Sequence, residues 1–213
     1  MGAKFFGARV KRLEDASLLA GQAEYLDDIS FEGCLHAVFV RSPFSHAKFT
    51  NIKKEAALSL SGVKAVLTLE DLPKEAQDNR LILLLPNPAI KQPIMPYLLA
   101  KDEVTFCGQP AAVVIAETRH LAEDAASLVD IDWEPLPSAS DVREALAESA
   151  NVVHQGSPDN VAAFFKNEYG DVDAAFSVAH RIVSASIKHH RGGGHSMEAR
   201  GVLAVHSEDE GRT

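Results

Sequence analysis

The spacing of apolar and polar residues predicts several short strands in the first two thirds of the chain. Apolar, β-prone runs at residues 35–40 and 63–69 are typical of strands. The run at residues 110–116 has no polar interruption, which indicates a strand buried on both faces. We expect these runs to supply the core.

Helical spacing follows the longest of these runs. The apolar residues Leu121, Ala125, Leu128 and Val129 recur at helical intervals and predict a helix. Thr118 precedes them, and its side-chain oxygen is suited to N-cap this helix. Residues 129–133 then return to a strand pattern. Strand, helix and strand in this order predict a β-α-β unit with a right-handed crossover.

Shorter helices are predicted where a glycine or a polar residue marks an end. They cover residues 12–20 with Gly21 at the C′ position, 53–60 followed by Gly62, 141–149, and 171–179.

Prolines divide the chain. Five of them fall in residues 72–100, where they predict a long irregular connection, and residues 135–140 predict a domain boundary. Beyond it, residues 181–188 and 201–206 are expected to form strands, with 207–213 as a turn. Such strands would have an unpaired edge, as if the chain stopped partway through a sheet, so self-association is expected.

Composition and charge narrow the class of protein. The chain has 213 residues, 46% of them hydrophobic and 24% charged, with a net charge of −9. This is typical of a globular protein and disfavours nucleic acid and anionic membranes as partners. Two cysteines without CxxC spacing, and no signal peptide or membrane-spanning segment, predict a cytoplasmic protein.

Two candidate groups for chemistry lie near the end of the chain. Residues 192–194 are consecutive glycines, but they lack both the Walker and the dinucleotide-binding context, so a flexible connection is the preferred interpretation. His189, His190 and His195, with Glu198, could form a metal site. However, His189 and His190 would point to opposite faces of a strand, so no metal ligand is assigned.

The remaining candidates favour structural roles. Cys107 has no neighbouring base and is expected to be a buried structural cysteine. The adjacent carboxylates Asp27–Asp28 and Glu123–Asp124 are expected to serve as caps or solvated surface. The residues by themselves therefore predict no catalytic, cofactor-binding or metal residue.

Several stretches in order resemble the large subunit of molybdenum hydroxylases, the xanthine dehydrogenase, aldehyde oxidase and aerobic carbon monoxide dehydrogenase family. They cover nearly the whole chain, and no single one is specific. They are Arg12-Leu13-Glu14-Asp15 with Leu18-Leu19-Ala20-Gly21, Tyr25-Leu26-Asp27-Asp28-Ile29, residues 35–43 with His46-Ala47, residues 62–68, residues 108–126, residues 134–137, residues 170–176, and His195, Met197-Glu198 and Arg200-Gly201.

The resemblance implies an α+β fold: an N-terminal arm at residues 1–19, an α/β hammerhead domain at 20–135, and the start of a molybdopterin-binding domain at 136–213. In the complete enzyme it implies a molybdenum-bearing molybdopterin, [2Fe-2S] clusters and FAD. The implied partners are the remainder of the large subunit, an iron–sulfur subunit and a flavin subunit. The implied reaction is hydroxylation of an activated C–H with water-derived oxygen, or oxidation of carbon monoxide.

The family's glycine-rich cofactor loops and catalytic glutamate have no counterpart in these residues. The chain is therefore expected to be the N-terminal part of such a subunit, inactive and without cofactor on its own, so whether it counts as an enzyme is left open. A truncated product and a naturally split subunit both fit. The alternative is a non-catalytic, stand-alone hammerhead module for protein interaction or assembly.

Overall fold

The computed structural model describes residues 7–81, 87–92, 94–190, 192–196 and 198–206. By its internal contacts the chain divides into a larger unit, residues 33–178, and a smaller unit that combines residues 1–32 with 179–213. Across the described ranges, no helix is both long and apolar enough to cross a membrane.

The first sheet of the larger unit is antiparallel and has the strand order β1-β5-β3. Its strands are β1 (His36–Arg41), β3 (Val63–Leu67) and β5 (Pro110–Ala116). All three confirm the strands predicted from apolar runs. The central position of β5 explains its uninterrupted apolar sequence, because both faces and both edges of this strand are covered.

The second sheet contains two strands that the sequence did not indicate. It is antiparallel with the order β4-β2-β6, and it is formed by β2 (Ala47–Lys53), β4 (Glu103–Val104) and β6 (Asp130–Pro135). The predicted β-α-β unit is therefore wrong. β5 and β6 belong to different sheets, because β6 pairs with β2 and does not lie in the sheet that contains β5.

Short helices cover the sheets. They are α2 (Glu55–Leu58), α3 (Lys74–Asp78) and α4 (Arg119–Ser127), with a 3-10 turn at Leu69–Asp71. The predicted N-cap of α4 is confirmed, since Thr118 Oγ1 accepts a hydrogen bond from Leu121 N at 3.2 Å. Ala122 and Ala125 of α4 are fully buried. The core joins this helix to both sheets through Ala47, Phe49, Ala57, Val66, Ala100, Val104, Ala111, Val114, Ala125, Val129 and Ile131.

The described part of the proline-rich connection is largely irregular, as predicted, apart from α3. Its described residues bond to a later part of the chain: Ile90 forms a β-bridge with Ala163, and Phe164 N donates to Ala89 O at 2.8 Å. Two aspartate-capped helices, α5 (Val142–Ala145) and α6 (Val172–Ser177), then complete the larger unit, within the ranges predicted for them.

In its described residues the smaller unit contains one helix, α1 (Asp15–Leu19), and a 3-10 turn at Leu26–Asp28. Gly21 has φ of +67° directly after the C-cap Ala20, which confirms its predicted C′ position. Glu198 Oε1 accepts a hydrogen bond from Leu26 N at 2.6 Å, which fastens the 3-10 turn to the C-terminal part of the chain.

The strands predicted at residues 181–188 and 201–206 are wrong: both stretches are irregular and almost entirely exposed. Their alternating pattern suits a strand, but a strand forms only beside a partner strand, and in the described part of the chain neither stretch takes part in a sheet. The predicted turn at 207–213 lies outside the described residues.

Candidate functional site

The histidines singled out from the sequence do not assemble a metal site. The rings of His189 and His190 stack in parallel, with centroids 5.4 Å apart and planes 7° apart. The prediction that they point to opposite faces is wrong because the segment is not a strand. Within the described ranges, no group of three or more His, Cys, Asp or Glu side chains is placed to hold a metal ion.

The glycine run is an open loop. Gly193 and Gly194 have no heavy atom within 4 Å of the place where a Cβ would stand. Glu198, four residues after this run, accepts a hydrogen bond from the backbone N–H of Leu26. Met197, which the resemblance includes, lies outside the described residues.

Cys107 is exposed, so the prediction of a buried structural cysteine is wrong. It lies on the turn between β4 and β5, beside Gly108 with φ of +89°, and its thiol faces Pro43 O at 3.7 Å. Cys34 is half-buried and also free.

The adjacent carboxylates play the structural roles expected of them. Asp28 Oδ2 accepts from Tyr25 N at 2.9 Å and closes the 3-10 turn. Glu123 pairs with Arg119 one turn earlier on the exposed side of α4, at 3.1 Å. Asp124 contributes its backbone oxygen to Ser127. None of these pairs forms an acid–base couple.

The best-defined polar cluster was not indicated by the sequence, and it centres on His46. This residue is only 6% exposed. Its Nδ1 lies 2.6 Å from Pro137 O, and its Nε2 lies 2.7 Å from Glu103 Oε1. When Glu103 is ionised both partners are acceptors, so both ring nitrogens donate. His46 thus ties the start of β2 to β4 and to the chain that leaves β6.

A cavity of about 230 Å³ adjoins this cluster on the side of Glu103. Its wall includes Arg80, Tyr97, Lys101, Gln109 and His154. Burial lowers the pKa of His154, Glu103 opposes that shift, and Arg80 and His46 add to it. The imidazole of His154 is therefore held neutral at the cavity wall.

Surface ion pairs surround the sheets without forming a second site. Lys53 Nζ lies 2.8 Å from both Asp130 Oδ2 and Asp132 Oδ1, and these bonds raise the pKa of Lys53 and lower that of Asp132. Lys54 pairs with Asp71, whose pKa falls to about 2 because of Lys54 and then of the Thr68 N–H.

Comparison with known proteins identifies the architecture. The family described as "Aldehyde oxidase and xanthine dehydrogenase, a/b hammerhead domain" matches residues 20–137, more than half of the chain. The chain is 41% identical to the nicotine 6-hydroxylase large subunit of Paenarthrobacter nicotinovorans over 97% of its own length and 25% of that protein. It is 36% identical to the xanthine dehydrogenase molybdenum-binding subunit of Escherichia coli O157:H7, over 68% of this chain and 19% of that protein.

A solved structure shows the same fold. Quinoline 2-oxidoreductase from Pseudomonas putida 86 superposes with a TM-score of 0.62 and 33% identity, covering 72% of this chain and 19% of that one. The chain thus spans a quarter or less of each of these three proteins. The two antiparallel sheets and their short helices are an α/β hammerhead, and the chain belongs to the aldehyde oxidase and xanthine dehydrogenase family.

Proposed function

We propose that this chain works as a structural portion of the molybdopterin-binding large subunit of a molybdenum hydroxylase. The observation that carries the proposal is the hammerhead match over residues 20–137 together with a likeness to large subunits along 97% of the chain. The reaction proposed for the complete enzyme is hydroxylation of an activated C–H with water-derived oxygen, or oxidation of carbon monoxide.

The described residues do not fit the molybdenum cofactor. The polar groups around the glycine run are engaged elsewhere: Glu198 accepts from Leu26 N, and the rings of His189 and His190 stack on each other. No catalytic step is therefore assigned to this chain, and we propose that it neither retains molybdenum nor turns over by itself. Molybdopterin, [2Fe-2S] clusters and FAD would be held by other parts of the assembly.

The larger unit contributes a packed core and a set of exposed apolar side chains. The two sheets share one core with α4. After β6, in contrast, many large apolar side chains are exposed; in the larger unit they include Phe164, Phe165, Tyr169, Val172, Phe176 and Val178. Burying such side chains is favourable. We propose that they contact the remainder of the large subunit, with the iron–sulfur and flavin subunits as further partners.

The domain assignment follows from this proposal: an arm at residues 1–19, the hammerhead at 20–135 and the start of the molybdopterin-binding domain at 136–213. A cytoplasmic location is proposed with it, and the two free cysteines are in keeping with a reducing compartment.

The test is metal and partner analysis of the tagged chain, purified once from a foreign host and once from the organism that encodes it. We expect molybdenum, iron and further polypeptides only in the native preparation. A matched bait with Val114→Asp, which places a charge at a fully buried position of β5, should recover none of them.

Two results would contradict the proposal. Stoichiometric molybdenum on the chain from the foreign host would show that it binds the cofactor unaided. A metal-free chain without partners from the native host would favour the alternative, a stand-alone hammerhead module.

A further inference from the structure

We propose that the cavity beside Glu103 is a binding site for a small organic carboxylate, separate from any molybdenum chemistry of the family. The wall of this cavity combines an amide donor that opens onto it, two cations stacked on one tyrosine, and an apolar strip. The inference does not depend on the proposed function, because all of its residues lie in the larger unit of this chain.

The amide of Gln109 is the specific feature. Gln109 is only 5% exposed, and its Oε1 accepts from Thr105 N at 2.8 Å. A backbone N–H can only donate, so this bond fixes the orientation of the amide and leaves Nε2 on the other side. Among the described residues Nε2 has no hydrogen-bond partner, while Gln109 lines the cavity. Because Nε2 opens onto the cavity, it is free to donate to an acceptor oxygen bound there.

Two cations give the cavity its preference for an anion. The guanidinium of Arg80 lies 4.6 Å from the centre of the Tyr97 ring, and Lys101 Nζ lies 5.5 Å from it. Arg80 is also anchored through Nη1, which donates to Met95 O at 2.6 Å. Both side chains are exposed, and among the described residues neither forms an ion pair with a carboxylate, so both charges remain available at the wall.

The negative groups at the wall do not cancel this preference. Glu103 Oε1 lies 2.7 Å from His46 Nε2, so this oxygen already has a partner that is not part of the cavity wall. Asp102 is the remaining carboxylate and is exposed. The imidazole of His154 is a further polar group at the wall and is neutral because burial lowers its pKa. A bound anion would favour the protonated form of His154 and so raise this pKa.

Size and apolar lining indicate an organic ligand. Ile94, Pro96 and Tyr97 supply apolar surface next to the donors. The volume of about 230 Å³ is below the range of roughly 300–1,000 Å³ that is usual for drug-sized ligands. A carboxylate on one small ring or a short aliphatic group matches both features.

The experiment is an NMR titration of the labelled 213-residue chain with benzoate, followed through the side-chain amide of Gln109 and the imidazole of His154. We expect saturable shifts at both groups and a rise in the pKa of His154. Benzyl alcohol, which keeps the ring without the charge, should bind at least about tenfold more weakly, since hydrogen bonds to a charged group contribute more than 1.4 kcal/mol. Inorganic phosphate, which lacks the apolar part, should also bind more weakly.

Gln109→Glu is the decisive variant, because it retains the acceptor for Thr105 N and replaces the free donor by a second acceptor. It should abolish benzoate binding, whereas Gln22→Glu adds the same charge at an exposed site and should leave binding unchanged. Arg80→Met should weaken binding at least about tenfold, with exposed Arg143→Met as its control.

Three results would overturn the proposal. They are no saturable shift in a chain with dispersed, folded spectra; equal affinity for benzoate and benzyl alcohol; and unchanged binding in Gln109→Glu. Phosphate binding as tight as that of benzoate would refute the organic carboxylate and leave a plain oxyanion site.

Discussion

His46 and Glu103, 57 residues apart in sequence, form the most buried ion pair among the described residues. Their side chains are 6% and 14% exposed, and His46 Nε2 lies 2.7 Å from Glu103 Oε1. The other ring nitrogen of His46 holds Pro137 O. One side chain therefore fixes the sheet β4-β2-β6 to the segment that leaves the hammerhead.

Removing this side chain should be strongly destabilising. His46→Ala deletes both hydrogen bonds and leaves Glu103 as a largely buried charge without its partner. We expect a loss of about 2–4 kcal/mol in the free energy of unfolding, somewhat below the cost of breaking a fully buried pair. Urea unfolding followed by circular dichroism measures it.

The matched control is His36→Ala, which removes an exposed histidine from β1 and should cost less than about 0.5 kcal/mol. A double-mutant cycle with Glu103→Gln should give a coupling energy above about 1 kcal/mol. Equal stability of the two histidine variants would show that the hydrogen bonds of His46 to Glu103 and Pro137 do not stabilise the fold.

Asp71 should give a second, acid-sensitive contribution to stability. Lys54, then the N–H and hydroxyl of Thr68, lower its pKa from 3.8 to about 2. A carboxyl group whose pKa is lowered by folding stabilises the fold at pH values above its pKa in the unfolded chain. This contribution to stability is lost as the pH falls toward the pKa in the folded state. Since the Asp71 side chain is 39% exposed, screening limits the effect to about 1 kcal/mol.

Comparison of the wild-type chain with Asp71→Asn checks this. The stability difference should be constant above about pH 5, shrink between pH 4 and pH 2, and disappear below pH 2. Asp78→Asn, which removes an exposed partner of Lys74 on α3, should show a much smaller difference. A difference that does not change with pH would contradict the assignment.

The strands and helices with strong local signals were predictable from the sequence. β5 carries seven residues without a polar interruption, and Thr118 caps α4 through its own side chain. β2 was missed because its exposed positions are polar and charged, and Lys53 was instead assigned to a helix. Because β2 was not predicted, β6 had no predicted partner other than β5, and this produced the wrong β-α-β prediction.

The polar cluster could not be found in this way. His46, Glu103 and Pro137 share no spacing motif, and they come together only once β2 pairs with β4 and β6. The alternation at residues 181–188 misled in the opposite direction. The alternation indicates that one face of such a strand would suit burial. Whether a strand forms depends on a partner strand, which the local sequence does not reveal.

His154 should make the fold less stable in mild acid. Burial lowers its pKa below 6.5, so the folded state disfavours the proton that the unfolded chain accepts. The resulting stability is complete above about pH 7 and is lost as the pH falls below 6.5. His154→Gln should flatten the fall in urea midpoint between pH 7 and pH 5. Exposed His180→Gln should leave that slope unchanged, and equal slopes for all three proteins would contradict the prediction.

Gly62 is required both by backbone conformation and by space. Its φ is +91°, and an added Cβ would lie 2.7 Å from Leu121 Cδ2 of α4. Gly62→Ala should therefore cost about 1–2 kcal/mol of unfolding free energy: the positive φ strains the backbone, and the end of the Leu121 side chain must move aside. Gly33→Ala is the control, because Gly33 also has a positive φ, +76°, but nothing within 4 Å of the added carbon. Its cost should be nearer about 1 kcal/mol, and equal costs would exclude the contact with Leu121.

The isolated chain should self-associate, although not for the reason that the sequence indicated. The strands whose free edges were to cause it do not form. The cause is instead the exposed apolar surface after β6, where Phe165 and Tyr169 are 66% and 98% exposed. Contiguous apolar surface of this kind promotes association.

Sedimentation equilibrium over a range of concentrations should show a rising average mass for the wild-type chain. Phe165→Ser with Tyr169→Ser should shift the chain toward monomer, because these positions carry no buried contacts whose loss would unfold it. Phe106→Ser, at a residue 47% exposed on the turn before β5, is the matched control and should associate like the wild type. A wild-type chain that remains monomeric at high concentration would show that this surface is not adhesive, and it would weaken the case that it contacts the remainder of the large subunit.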